Sequence, residues 1–355
     1  MKITNIKWEK LRVELDKPFV IAIGVATHAE TMIVKVETDE GITGYGEATP
    51  SAAVTGETID TAAAVLPLLR DALAGQNPFS MESIHKIMAS VVLRNSSAKA
   101  GIDIALYDIM GKRLGMPLYK LLGGHDNKLI TDMTVSIDTP EAMAAEALAY
   151  KQQGFGVLKI KAGIDPEADM LAMGLIREAV GPKMRLRADA NQGWSVNTAI
   201  KVMDVYGQYG VEMVEQPVKH WDIDGLAYIR RRTKVALGAD ESLHTPEDAV
   251  KLAKARAVDV FNIKLMKSGG IYPAQRINAI GEAAGIGVML GCMMETRIGN
   301  AASAALVAAQ KNITEADLDS FVHFEGAMGI SGGFDLKNGV MTLSEKPGLG
   351  IEIDF

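Results

Sequence analysis

Five charged residues recur at near-constant intervals: Lys161, Asp189, Glu215, Asp240 and Lys264. Their separations are 28, 26, 25 and 24 residues, and each lies at or near the end of a short apolar run: VLKIK, MRLRAD, VEMVEQP, VALGAD and VFNIK. Three carboxylates gathered in one place repel one another unless a cation sits among them. An all-oxygen donor set without His or Cys favours Mg2+ over zinc. Two lysines flanking such a set can remove a proton from one face of a carbon and return one to the other. A carbon next to a carboxylate is a very weak acid, and positive charge at the carboxylate oxygens stabilises the enediolate left by deprotonation. The lysine that acts as base must be neutral. Lys159, together with the metal, is expected to lower the pKa of Lys161. Each acid taken singly reads as a helix cap or an arginine partner; three in matching parity favour the metal.

The spacing sets the elements that must position these groups. Some 25 residues is about the length of one strand, one helix and two short loops. Helical patterns between short β-like runs predict a (β/α)8-type barrel, of the α/β class. Alternation puts Lys159 and Lys161 on one strand face and Leu158 and Ile160 on the other. Arg187 likewise shares a face with Asp189, Met213 with Glu215 and Asn262 with Lys264. Helices cover the outside of such a sheet, so the charged set points inward at the C-terminal strand ends. Lys161 closes strand two and Lys264 strand six, half a turn apart across the barrel mouth. Strand one falls near Thr131 to Ile137, with Thr134 and Ser136 on one face. Strand seven falls near Gly287 to Gly291, and strand eight near Glu315 to Asp319. Asp317 and Asp319 share a face there and suit a cationic substrate group such as an α-ammonium. Lys267 reads as a surface charge.

The chain has 355 residues, more than a lone barrel needs. Residues 1–124 read as an α+β capping domain, 125–320 as the barrel, and 321–355 as a segment returning to the capping domain. Within the first domain Ile33 to Glu37 and Ile42 to Glu47 read as strands, and Phe19 to Glu30 and Thr49 to Gly56 as loops. Helices are expected from Glu57 to about Ala74, after Ser80 and from Ser97. In the third helix Ile102, Ala105, Leu106, Ile109 and Met110 form an apolar stripe. A net charge of −7 and a pI near 5.5 argue against nucleic-acid and anionic-membrane partners. The single cysteine, Cys292, excludes an intramolecular disulfide and suits a reducing compartment. No signal peptide or membrane span is evident, so a cytoplasmic location is expected; a homo-oligomer is expected besides.

Lys159-Ile160-Lys161, Asp189-Ala190-Asn191, Glu215-Gln216-Pro217, Asp240-Glu241-Ser242 and Asn262-Ile263-Lys264 together resemble the enolase superfamily, in its muconate-lactonizing subgroup. Lysine bases, Mg2+ and an enediolate are established chemistry for that superfamily. Asp317-Leu318-Asp319 and Gly291-Cys292-Met293-Met294-Glu295 resemble motifs of its dipeptide epimerases. The resemblance implies Lys161 and Lys264 as the acid/base pair and Asp189, Glu215 and Asp240 as ligands of one Mg2+ per subunit. It implies Thr134, Lys159, Cys292, Met294, Asp317 and Asp319 as contacts to a dipeptide substrate, with Cys292 acting through its backbone. It also implies that the two cap loops close over the barrel mouth. A side-chain carboxylate on the dipeptide would need a cation nearby: the first loop offers His28, with Lys17 just before it, and Arg297 follows strand seven. An apolar or mixed second residue is the other reading. A cycloisomerase or o-succinylbenzoate synthase-like lyase of the subgroup is the alternative activity, opposed by the Asp317–Asp319 pair. A metal-dependent binding protein on the same scaffold would not need the second lysine.

Overall fold

A computed structural model describes residues 1–324 and 329–353. The N-terminal layer is an antiparallel sheet of β1 (Ile3–Ile21), β2 (Gly24–Thr38) and β3 (Thr43–Ala48). The segment Phe19 to Glu30, expected as a loop, is the tip of the long β1–β2 hairpin, with Phe19 paired to Ala26 and Ile21 to Gly24. Its apolar residues face a cavity rather than a packed core, which is why strand alternation is weak there. Thr49 to Gly56 is a turn-rich loop, as expected.

Three helices follow: α1 (Ile59–Leu73), α2 (Met81–Val91) and α3 (Ser96–Leu114). Thr58 caps α1 by accepting from Thr61 N, whereas Ser80 makes no side-chain cap bond to α2. The expected stripe on α3 understates its burial, because nearly every residue from Ser97 to Gly111 is buried. The helix is sandwiched between the cap sheet and the barrel segment Leu265–Ser268. Gly44 and Gly46 of β3 make this close approach feasible. A Cβ on either would lie 2.0 Å from a carbonyl oxygen of α3, Ala105 O or Gly101 O respectively.

After the short β4 (Lys128–Ile130) come the eight parallel strands. They are β5 (Met133–Val135), β6 (Val157–Lys161), β7 (Arg185–Asp189), β8 (Val211–Glu215), β9 (Ala236–Ala239), β10 (Val260–Ile263), β11 (Gly287–Gly291) and β12 (Ile313–Asp317). Each pairs with its sequence neighbours, and a parallel bridge between Thr131 and Ala316 draws the two edges together into a near-closed barrel. All five residues of β6 are buried, as both faces of a barrel strand must be. Helices on the outside begin with a recurrent device, a capping side chain followed by proline. Thr139-Pro140, Asp165-Pro166 and Thr245-Pro246 each supply a side-chain oxygen to the first-turn N–H groups and a residue already set at a helical φ.

The C-terminal segment forms β13 (Ile330–Gly332), β14 (Phe334–Lys337), β15 (Val340–Leu343) and β16 (Ile351–Ile353). β15 pairs with β4, just before the first barrel strand, and Leu349 N donates to Asp108 of α3 at 2.9 Å. Among the described residues no helix is long and apolar enough to cross a membrane.

Candidate active site

Asp189 and Glu215 are the last residues of β7 and β8, and Asp240 follows β9. Register carries them to one level: Lys161 lies beside Asp189, and Asp189 beside Glu215. All three acids are buried, and one oxygen from each lies within 4.8 Å of the others. Burial and the neighbouring Asp189 push the Glu215 carboxyl up to about 7. Glu215 Oε2 lacks a hydrogen-bond partner, although Lys159 Nζ stands 2.9 Å away. Its other oxygen accepts from Asn262 Nδ2 at 2.5 Å. A crowded, buried all-oxygen set with one carboxyl driven toward neutrality fits a hard divalent cation.

The two base candidates stand apart. Lys161 Nζ donates to Asp189 Oδ2 at 2.7 Å and Asn191 Oδ1 at 3.1 Å, while Lys264 Nζ donates to Asp240 Oδ2 at 2.8 Å. Their strands are four steps apart in the eight-strand order, and both side chains line one cavity of about 360 Å³. Burial works against the Lys264 ammonium, but the surrounding carboxylates, Asp240 foremost with Glu215 and Asp317 behind it, together hold the group above its ordinary value. The same balance governs Lys159. Burial opposes its charge, while Asp317, Glu215 and Asp189, at 2.7, 2.9 and 3.1 Å, hold it charged. Lys159 thus sits between the acid trio and the Asp317 side of the mouth.

Lys267 corrects the sequence reading. It is 2 % exposed, not a surface charge. The short helix Leu265–Ser268 turns back under the site, and Lys267 Nζ donates to the Asp240 carboxylate, to Asp240 O at 2.6 Å and to Asn262 O at 3.0 Å. The floor therefore sets four ammonium groups, Lys159, Lys161, Lys264 and Lys267, against four carboxylates, Asp189, Glu215, Asp240 and Asp317.

On the opposite wall Asp317 ends β12 and Asp319 lies just beyond it, in the turn into the 3-10 helix Ser320–Phe324. Asp319 Oδ2 accepts from Thr134 N at 2.6 Å. Thr134, Lys159, Cys292, Met294, Asp317 and Asp319 all line the cavity. Cys292, Asp317 and Asp319 also cluster closely enough to hold an ion. Burial, followed by the two aspartates, pushes the thiol well above its ordinary value, so no thiolate is on offer to a metal ion, while Lys159 engages one oxygen of Asp317.

The cap closes the cavity with Phe19, Ile21, Ile23 and Val25 from the hairpin and with Ala53 and Val54 from the second loop. His28 lines it too, with Glu30 beside it at 3.8 Å. The other two suggested cations are engaged elsewhere. Lys17 pairs with Glu146, and the Arg297 guanidinium lies 4.2 Å from the Phe334 ring centroid and donates to the Gly332 carbonyl at 3.0 Å. Two further groups belong to the site: Asn191, which touches Lys161, and Glu241, which accepts from Asn191 Nδ2 at 3.2 Å. Burial and Asp240 push the Glu241 carboxyl up to about 8.

Known proteins repeat this architecture. Residues 3–123 match the mandelate racemase / muconate lactonizing enzyme N-terminal domain, and residues 142–355 match the enolase C-terminal domain-like family. A hydrophobic dipeptide epimerase of Enterococcus faecalis is 46% identical over 353 residues, covering 99% of each chain. An L-Ala-D/L-Glu epimerase of Bacillus subtilis is 41% identical, covering 99% of this chain and 97% of the relative. The crystal structure of the Enterococcus faecalis dipeptide epimerase with Mg and L-Leu-L-Tyr superposes with a TM-score of 0.97, covering 99% of this chain and 100% of that one. Matched in both halves and in relatives over nearly its whole length, this chain belongs to the mandelate racemase / muconate lactonizing enzyme family of the enolase superfamily.

Proposed function

We propose that this chain is a Mg2+-dependent dipeptide epimerase, an isomerase that inverts the α-carbon of the C-terminal residue of an L-Ala-L-Xaa-type dipeptide. The observation that carries this reading is the lysine pair: Lys161 and Lys264 rest on different acids, half a barrel turn apart, and face one cavity. Relatives named as epimerases, and the Mg and dipeptide bound in the Enterococcus faecalis structure, support it.

In this reading Asp189, Glu215 and Asp240 would hold the ion, which when bound would supply positive charge to stabilise the substrate's carboxylate oxygens. Neutral Lys161 Nζ takes the α-proton, and the C–H electron pair moves into the carboxylate to give an enediolate. The Lys264 ammonium then delivers its proton to the opposite face of the carbon. The reverse reaction exchanges the two roles. Lys159, kept charged by its three acids, adds a second cation beside the carboxylate. Asp317 and Asp319 receive the dipeptide's α-ammonium, with the Thr134 N–H steadying Asp319. Cys292, through its backbone, and Met294 border the peptide.

The cap side of the cavity is mostly apolar, its polar members being His28, Glu30, Thr49 and Ser51, and among the described residues it offers no lysine or arginine, so it favours an apolar Xaa over an acidic one. A cycloisomerase or lyase substrate has no ammonium for Asp317 and Asp319, so that alternative is set aside. The reading divides the chain into a cap of residues 1–124, a barrel of 125–320 and a returning segment of 321–355. It takes the enzyme to be a cytoplasmic homo-oligomer that binds neither nucleic acid nor membrane. The test is a library of L-Ala-L-Xaa dipeptides incubated in D2O with Mg2+. Expected is a mass gain of one unit with loss of optical purity, strongest for apolar Xaa. Absence of exchange in every dipeptide refutes the activity, and preference for Glu or Asp refutes the specificity.

A further inference from the structure

We propose that Asn191 is a positioning residue for Lys161, acting on one face of the substrate and not on the other. The inference rests on the two-lysine reading above.

Three bonds converge on Asn191, which is 4 % exposed. Its Oδ1 accepts from Lys161 Nζ at 3.1 Å, its Nδ2 donates to Glu241 Oε1 at 3.2 Å, and its backbone N donates to Asp189 Oδ1 at 2.9 Å. Its backbone φ is +40°, and that of Gln192 is +68°. Such left-handed positions are sparsely occupied by residues other than glycine, and asparagine is among those that tolerate them. The turn is held from outside: Gln192 N donates to Gln216 O at 2.7 Å, and Gln192 Oε1 accepts from His220 N at 3.0 Å. Backbone in a costly conformation that its surroundings over-determine is a recurrent property of functional sites.

The chemistry explains why an amide stands there. A neutral lysine amine has two N–H donors and one lone pair. With Asp189 Oδ2 and Asn191 Oδ1 each taking one N–H, the lone pair is left to aim at the cavity. Asp189 alone would leave the head group free to rotate on its flexible four-carbon stem. An amide oxygen supplies the second acceptor without adding another negative charge to a floor already crowded with carboxylates. Lys264 has no equivalent tie to Asn191; its anchor is Asp240, which Lys267 secures. The two bases therefore have separate supports, and loss of one should be felt on one face only.

The test compares wild type, Asn191→Gly and Lys161→Ala under saturating Mg2+. Exchange of the α-proton in D2O is measured separately from the L,L and L,D forms of one accepted dipeptide. Glycine accepts the positive φ, so the variant deletes the side chain without straining the turn. Expected is a loss of exchange on the order of 10- to 100-fold for one epimer, the same epimer that Lys161→Ala silences. Exchange of the other epimer should stay within about twofold of wild type, as separate supports require. Equal slowing of both epimers, or slowing of the one that Lys161→Ala spares, overturns the inference. Absence of exchange in wild type overturns the epimerase reading instead.

Discussion

Replacing Lys267 with methionine tests whether a buried ion pair that no substrate need touch holds the site together. The side chain is 2 % exposed and gives its donors to three acceptors, two on Asp240 and one on Asn262. Methionine keeps much of the apolar stem and removes the charge. Removing one partner of a buried pair costs roughly 3–5 kcal/mol, because the other charge is left uncompensated. Here Lys264 remains 2.8 Å from Asp240 Oδ2, so the loss belongs at the lower end, about 3 kcal/mol. Urea unfolding in the presence of a chelator measures it. Lys251→Met is the internal control: its pair with Asp248 is 3.1 Å long, but the lysine is 64 % exposed, and solvent screening leaves at most about 0.5 kcal/mol to lose. If Lys267→Met unfolds within about 1 kcal/mol of wild type, the carboxylate does not depend on this lysine and the argument for its structural role fails.

Three further outcomes are expected. Lys161→Ala and Lys264→Ala should each abolish epimerisation while leaving D2O exchange in opposite epimers; exchange in the same epimer for both would place them on one side of the carbon. Burial pushes the Asp169 carboxyl up to about 6 from an ordinary 3.8, against the Gly163 N–H and Trp194 Nε1–H that it accepts. Its proton is thus held more tightly in the folded state than in the unfolded one. That stability is complete below about pH 3.8 and is lost as pH rises through about 6, by up to about 3 kcal/mol. Asp169→Asn, whose amide oxygen can accept the same two bonds, should flatten the thermal midpoint across this window and raise it at pH 7; an unchanged slope would count against the assignment. Finally, Gly46→Ala should lower stability by about 1–3 kcal/mol or more, since its methyl would meet the Gly101 carbonyl at 2.0 Å. A midpoint shift below about 1 °C would mean that the sheet and helix can separate at little cost.

The barrel and its acid–lysine ring were legible because they rest on periodicity. Charged residues at inward positions of covered strands have few structural excuses, and a spacing of 24–28 residues leaves room for one helix each time. What escaped depends on three-dimensional return paths. Lys267 lies three residues after Lys264, beyond the last strand position, where a lysine reads as a surface charge; only the single turn Leu265–Ser268, folding back beneath Asp240, buries it. The cap hairpin escaped because Ile21, Ile23 and Val25 answer to a cavity and not to a neighbouring sheet. Arg297 was a plausible partner for a substrate carboxylate by its place after strand seven, yet stacking on Phe334 directs it to the C-terminal segment. Asn191 belongs to a legible motif, but its role follows from a left-handed backbone that residue type only permits.

Helix Ser96–Leu114 has a consequence for how this enzyme can be re-engineered. Its sides answer to β2 and β3 in one direction and to the turn carrying Lys267 in the other. Asp103, fully buried on that helix, accepts from the backbone N of Ile271 on the barrel side and pairs with His85 of α2 at 2.7 Å. A graft of a foreign N-terminal portion joined near residue 124 would therefore carry a strange surface into the barrel's own interior. Altered selectivity is better sought by exchanging the hairpin tip alone, from Phe19 to Ala26, which borders the cavity and leaves that shared interior untouched.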